Sequence, residues 1–75
     1  MAKLPSLTAR QVVRALRRGG FEVHHQTGSH MHLRNPAKPH LRVVIPYHNR
    51  DLAPKTLRSI IAQAELTVDE LLDLL

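Results

Sequence analysis

The sequence contains no cysteine and no tryptophan, and only one phenylalanine and one tyrosine. The lack of thiols excludes disulfides, thiolate nucleophiles and zinc sites built on cysteine, and suits a reducing compartment. With Phe21 assigned to the core and Tyr47 to a loop or rim, little is left for stacking nucleic-acid bases, so that if a nucleic acid binds, backbone contacts dominate and sequence preference is modest. Unbroken apolar runs reach only three residues, as in Val43-Val44-Ile45, against the roughly 20 that a membrane helix needs. The opening Met1-Ala2-Lys3-Leu4-Pro5-Ser6 has no long apolar stretch before its first helix breaker, and so does not resemble a secretory signal. These absences give the expectation of a soluble, cytoplasmic protein without membrane attachment. A length of 75 residues gives the expectation of a single domain, residues 1–75, whose every element contributes an apolar face to one thin core.

Acidic residues are scarce where basic ones are common. All eleven Lys and Arg lie before residue 65 with only Glu22 and Asp51 against them, eleven minus two, or +9. The last eleven residues carry Glu65, Asp69, Glu70 and Asp73 and no base. A cationic body with an acidic end points to a polyanionic partner held by salt-sensitive phosphate contacts, although basic charge also serves solubility.

Thr8 and Gln11 form a T-x-x-Q capping box ahead of Val12, Val13 and Leu16, predicting a helix over about residues 9–18 that Gly19-Gly20 stops. Phe21 to Gln26 alternates, with Phe21 and Val23 on one face and Glu22 and His24 on the other; Thr27-Gly28 marks a turn. From Ser29 to Arg34, Met31 and Leu33 face one way and His30, His32 and Arg34 the other. Asn35-Pro36-Ala37-Lys38-Pro39 reads as a loop. In the third strand Leu41, Val43 and Ile45 face the core until Pro46 ends it. Pro54 opens a second helix with an apolar stripe of Leu57, Ile60, Ile61 and Ala64. Thr67-Val68-Asp69-Glu70 caps a third, with Val68, Leu71, Leu72 and Leu75 on one side. The expected fold is α+β, α-β-β-β-α(-α), with a three-stranded antiparallel sheet, helices on one face, and Glu22, His24, His30, His32, Arg34 and Arg42 on the other.

That open face supplies candidate chemistry. His30 follows the Gly28 turn on an exposed strand position, and histidine suits proton transfer near neutral pH. Ser29 can hydrogen-bond the imidazole or a phosphate oxygen, while Arg34, Arg42 and Lys55 can stabilise negative charge. His32 and His48 are alternatives for a general acid; for each of these histidines the competing reading is an ordinary surface side chain. Six histidines invite a metal site around His30, His32 and His24, but Glu22 is the only nearby acid, so no metal and no cofactor are expected. Arg10, Arg14, Arg17 and Arg18 recur along one side of helix one, as a ridge for phosphates or an acidic protein, or simply as a solvated face.

Three segments together resemble the HicA (YcfA-like) mRNA interferase toxins of HicAB toxin–antitoxin systems. They are Gly20-Phe21 followed by Gln26-Thr27-Gly28-Ser29-His30, then Val44-Ile45-Pro46-Tyr47-His48, then Leu52-Ala53-Pro54-Lys55-Thr56-Leu57-Arg58-Ser59-Ile60-Ile61. The segment from Leu66 to Leu75 also looks like that family's usual ending. His25 stands where the family often has arginine, and Lys55 and Glu65 where it usually has glycine. The resemblance implies a double-stranded-RNA-binding-like fold, endonucleolytic cleavage of mRNA, and neutralisation by a HicB-type antitoxin. It also implies that His30 is the residue required for toxicity. On this reading Ser29 assists His30, and Gly28, His32, Arg34, Arg42, His48 and Lys55 meet RNA. Arg10, Arg14 and Arg17 meet the antitoxin. The rival functions are a non-catalytic RNA-binding module using the same basic face, and a protein-interaction partner for an acidic companion.

Overall fold

The computed structural model describes residues 3–75; Met1 and Ala2, the first two residues of the opening segment, lie outside the described residues. The elements run α1 (Ala9–Arg18), β1 (Glu22–Thr27), β2 (His30–Asn35), β3 (Lys38–Pro46), α2 (Pro54–Gln63) and α3 (Val68–Leu74). Among the described residues no helix is long and apolar enough to cross a membrane.

Helix α1 begins as its capping box requires. The Thr8 N–H donates to Gln11 Oε1 at 2.9 Å and the Gln11 N–H donates to Thr8 Oγ1 at 3.3 Å, satisfying two donors the helix leaves open. Its end divides the work between two glycines. Gly20 takes a left-handed φ of 99°, which a Cβ would penalise. Gly19, at φ −85°, has no such need; a Cβ there would come within 2.9 Å of Leu74 Cδ1, so its bareness admits α3.

The sheet is antiparallel in the order β1-β2-β3. Met31 lies opposite Ile45 and Leu33 opposite Val43, so one face of β2 and β3 is apolar and takes the helices. Leu16, Leu33, Ile45, Leu57, Ile60, Leu71, Val12 and Val43 are fully buried between these layers. Each such side chain contributes about 1.5–3 kcal/mol by leaving water. The other face of the sheet has no helix over it. The resulting α-β-β-β-α-α arrangement is the α+β, double-stranded-RNA-binding-like fold. The stripe Leu57, Ile60, Ile61 and Ala64 is buried as its spacing predicts.

Three details differ from the sequence reading. Val23 sits opposite Leu33 but is 42% exposed, because β1 is an edge strand exposed along its whole length. The loop shrinks to Pro36-Ala37: Asn35 closes β2 and Lys38-Pro39 open β3. Asn35 Oδ1 accepts the Ala37 N–H at 3.0 Å, and pairing jumps from Asn35–Lys38 to Arg34–Arg42. Pro39 therefore falls in a bulge where its missing N–H costs no ladder bond. In α3 Leu71 is buried and the half-buried Val68 and Leu74 pack against the core, whereas the half-buried Leu72 lies outside that cluster and Leu75 is 45% exposed. Contact with Gly19 draws Leu74 inward and leaves the last residue beyond the helix.

Helix α2 ends with Glu65 at φ 55°, the one non-glycine residue with positive φ among the described residues. Its 3.7 Å ion pair with His40 is solvent-exposed and contributes little. Glu65→Gly is therefore expected to stabilise the fold by about 1 kcal/mol, by relieving the left-handed backbone. A thermal melt should show a Tm roughly 4–8 °C higher; an unchanged or lower Tm would mean that the side chain holds this helix end.

Candidate functional site

Thr27 and His30 pair across β1 and β2, leaving Gly28-Ser29 as a two-residue turn. Gly28 has φ 56°, and a Cβ there would meet nothing within 4 Å. Glycine is thus needed for conformation rather than space, as suits a hairpin turn with glycine first. Two bonds brace this turn. Gln26 Nε2 donates to the Gly28 carbonyl at 3.2 Å, and the Tyr47 N–H, just past β3, donates to the Ser29 carbonyl at 2.6 Å. Neither the His30 ring nor the Ser29 hydroxyl joins these bonds or any other among the described residues, and both residues are exposed. The Ser29–imidazole contact considered from sequence is not made; both groups face outward unengaged.

From this turn the open face extends in three cross-strand rows: Thr27–His30–Pro46, His25–His32–Val44 and Glu22–Arg34–Arg42. Strict alternation would turn His25 to the core side with Val23. Instead a bulge between Val23 and His25 leaves His24 unpaired and sets His25 opposite His32. The His25 and His32 rings stack at 4.3 Å and 11°, and His24 meets His25 edge-on at 4.9 Å. Thr27 Oγ1 lies 3.1 Å from His32 Nε2, fixing that ring. Sequence reasoning misses His25 as a site residue, and its only signal there is two adjacent histidines in a short strand.

Arg34 and Arg42 lie directly opposite one another, an arrangement that is unfavourable without a counter-charge. Glu22 is the β1 partner of Arg34, yet the only ion pair among the described residues is His40–Glu65. The face is therefore short of negative charge. Among the described residues no three His, Asp or Glu side chains gather in a metal-holding arrangement.

Other expected site residues lie apart. His48 Nδ1 accepts the Arg50 N–H at 3.2 Å, and the ring lines a cleft with Thr8, Arg10, Tyr47 and Asn49. Lys55 is exposed in the first turn of α2, and no hydrogen bond among the described residues ties it to the turn. Arg10, Arg14, Arg17 and Arg18 line a cleft of about 580 Å³ with Val13 and Tyr47. That ridge is on the helix layer and meets the sheet's turn only at Tyr47.

The His24 pKa is lowered from the usual histidine value, by desolvation among its neighbours (slight for so exposed a ring) and by the positive charges of Arg34, His25, Arg42 and His32. The folded protein thus takes up a proton at His24 less readily than the unfolded chain does. That penalty is absent well above the usual histidine pKa, appears as pH falls through about 6.5 and is complete below the lowered folded value. Urea midpoints should therefore fall between pH 7.5 and 5.5, and fall less in His24→Gln. Equal losses in both proteins would remove His24 as a source of acid sensitivity.

The described residues thus form a cationic α+β domain that presents an exposed histidine from a braced glycine turn. Residues 9–66 match the family described as HicA toxin of bacterial toxin-antitoxin; the chain belongs to this family and is a toxin of a toxin–antitoxin system. No curated protein matches the chain.

Proposed function

We propose that this toxin is a metal-independent endoribonuclease that cleaves mRNA, with His30 as its catalytic residue. The observation that carries this reading is the braced Gly28-Ser29-His30 turn, whose imidazole and hydroxyl are both exposed and unengaged on the same face as two arginines without an ion pair among the described residues.

RNA carries its own nucleophile. The 2′ oxygen attacks the adjacent phosphorus, forming a new P–O bond, and the bond to the 5′ oxygen of the next nucleotide breaks. The products are a 2′,3′-cyclic phosphate and a 5′ hydroxyl. His30 accepts the 2′ proton at a ring nitrogen, the general-base task that imidazole most often performs. The 5′ oxygen receives a proton from a second acid, for which His32 and His48 are the candidates. The Ser29 hydroxyl donates to a non-bridging oxygen of the phosphorane and Gly28 lets the strand approach closely, while Arg34 and Arg42, two rows along the face, hold a neighbouring phosphate. Lys55 adds a phosphate contact from α2. An intramolecular nucleophile removes the need for a metal-activated water, and Glu22 is the only carboxylate in the three rows.

His30→Ala is expected to lower the cleavage rate by about 10²–10⁴-fold with no loss of Tm, the side chain being exposed. Purified wild-type protein should keep cutting RNA in excess chelator and leave cyclic-phosphate ends. Near-normal cutting by the variant would reject His30. Loss of cutting that zinc or manganese restores would reject metal independence, and wild-type protein that binds RNA without cutting it would favour the binding-module reading.

The toxin's counterpart, on this reading, is a HicB-type antitoxin with an acidic surface that covers His30 and grips Arg10, Arg14 and Arg17. Charge complementarity chiefly speeds encounter. Added salt should thus slow association more than it hastens dissociation in surface-plasmon measurements. Reversing Arg10, Arg14 and Arg17 to Glu should weaken the complex, and unaltered affinity would show that the ridge is only solvated.

A further inference from the structure

Of the stacked histidines, His24 and His25 have no task in the transesterification at His30, and His32 is one of two candidates for its acid. His24 and His25 are solvent-exposed and His32 is half-buried, yet the three rings pack on one another. Lone pairs on imidazole nitrogens lie in the ring plane, so rings stacked 11° from parallel at 4.3 Å do not aim two nitrogens at one ion. His32 Nε2 is moreover within hydrogen-bond distance of Thr27 Oγ1. Three imidazoles held ring to ring on an uncovered sheet are instead a π surface, of the kind on which unpaired bases stack.

The surroundings specify what would sit there. On the side of His32 away from His25 lies Val44, its cross-strand partner, a half-buried apolar side chain on an otherwise polar face. The next row along β2 brings Arg34 and Arg42 together without an ion pair among the described residues. The row on the other side holds His30. Alternate strand residues are roughly 6.5–7 Å apart, about the reach from a phosphate to the base of its own nucleotide.

We propose that the His24–His25–His32 stack is a base-binding subsite, which seats one unpaired nucleobase of single-stranded RNA against His32 and over Val44 while Arg34 and Arg42 hold an adjoining phosphate. The subsite rests on the reading that His30 marks the cleavage centre, since it places that base beside the scissile phosphate. Bases inside an A-form duplex keep their faces covered by one another, so this platform selects single strands even though the fold is of the double-stranded-RNA-binding type. The lowered His24 pKa keeps that ring neutral at physiological pH, in keeping with a stacking role.

The test is the binding of a short, fluorescent, 2′-O-methyl single-stranded RNA, which cannot be cleaved, followed by anisotropy. His32→Ala is expected to weaken binding about tenfold or more, the usual result of removing the ring on which a base stacks, whereas His32→Phe keeps it within about twofold of wild type. The same oligonucleotide with abasic positions should bind wild-type protein as weakly as the intact one binds His32→Ala. This arm needs no variant to fold. Equal binding of intact and abasic strands by wild-type protein would overturn the proposal. So would wild-type affinity in His32→Ala of unchanged Tm, a duplex RNA that binds more tightly than the single strand, or binding that a chelator abolishes and zinc restores. His30→Ala separates the two readings. If it still cuts RNA, catalysis at His30 fails while the base subsite stands; if it binds normally without cutting and the abasic strand binds equally well, the subsite fails while His30 stands.

Discussion

Everything on the open face depends on the register of β2 against β3. Leu33 pairs with Val43 and Met31 with Ile45, and the inner members of that set are buried under α1 and α2. A slip of one residue would turn this apolar set to water and send His30, His32 and Arg34 into the core. At about 1.5–3 kcal/mol for each buried side chain, exposing Leu33, Val43 and Ile45 would cost about 5–9 kcal/mol, comparable with a small domain's margin of stability of about 5–15 kcal/mol. The core thus sets the positions of residues it never touches. The Tyr47–Ser29 backbone bond extends the same register by one step and holds the glycine turn at the end of the ladder.

Features that obey two-residue or helical periodicity are legible in the sequence. Both capping boxes are visible as a Thr three residues before Gln11 or Glu70, while the α2 stripe and the outward set on β2 and β3 follow from burying one face and are visible in the spacing of apolar residues. The His25–His32 stack is not legible. It depends on an extra residue in β1, and β1 has no buried face to record where alternation breaks. Gln26 reads only as part of a motif, although its side chain braces the Gly28 carbonyl. Pro39 reads as a loop residue because a bulge that spares its missing N–H is invisible without the partner strand. The differences gather at edges and bulges, where the hydrophobic pattern carries least information.

The site is also where the chain departs from its own stability. Arg34 faces Arg42, three imidazoles crowd the same surface, and four of the six acids lie beyond residue 64. Thr67 and Glu70 spend part of that acidity on the α3 cap, where the Thr67 N–H donates to Glu70 Oε1 at 2.8 Å. Asp69 and Glu70 occupy the first turn of α3, the helix end that favours negative charge. The acidic end is thereby committed to its own helix, leaving the sheet's positive field for a ligand.

The positive charge is divided between two layers, and that division constrains any inhibitor. The α1 arginines lie on the helix side, the His30 turn on the sheet side, and Tyr47 belongs to both: it lines the arginine cleft while its N–H holds Ser29. A partner bound only to α1 would leave His30 open to solvent, and one bound only to the sheet would forgo the densest run of positive charge. Occlusion combined with electrostatic grip therefore requires a surface that wraps the edge at Tyr47. On the proposed reading RNA faces no such requirement, because the turn, the arginine pair and the histidine stack lie together on one face. Substrate and antitoxin would then compete for the sheet while only the antitoxin depended on α1, so the ridge could tune neutralisation without altering how RNA is held.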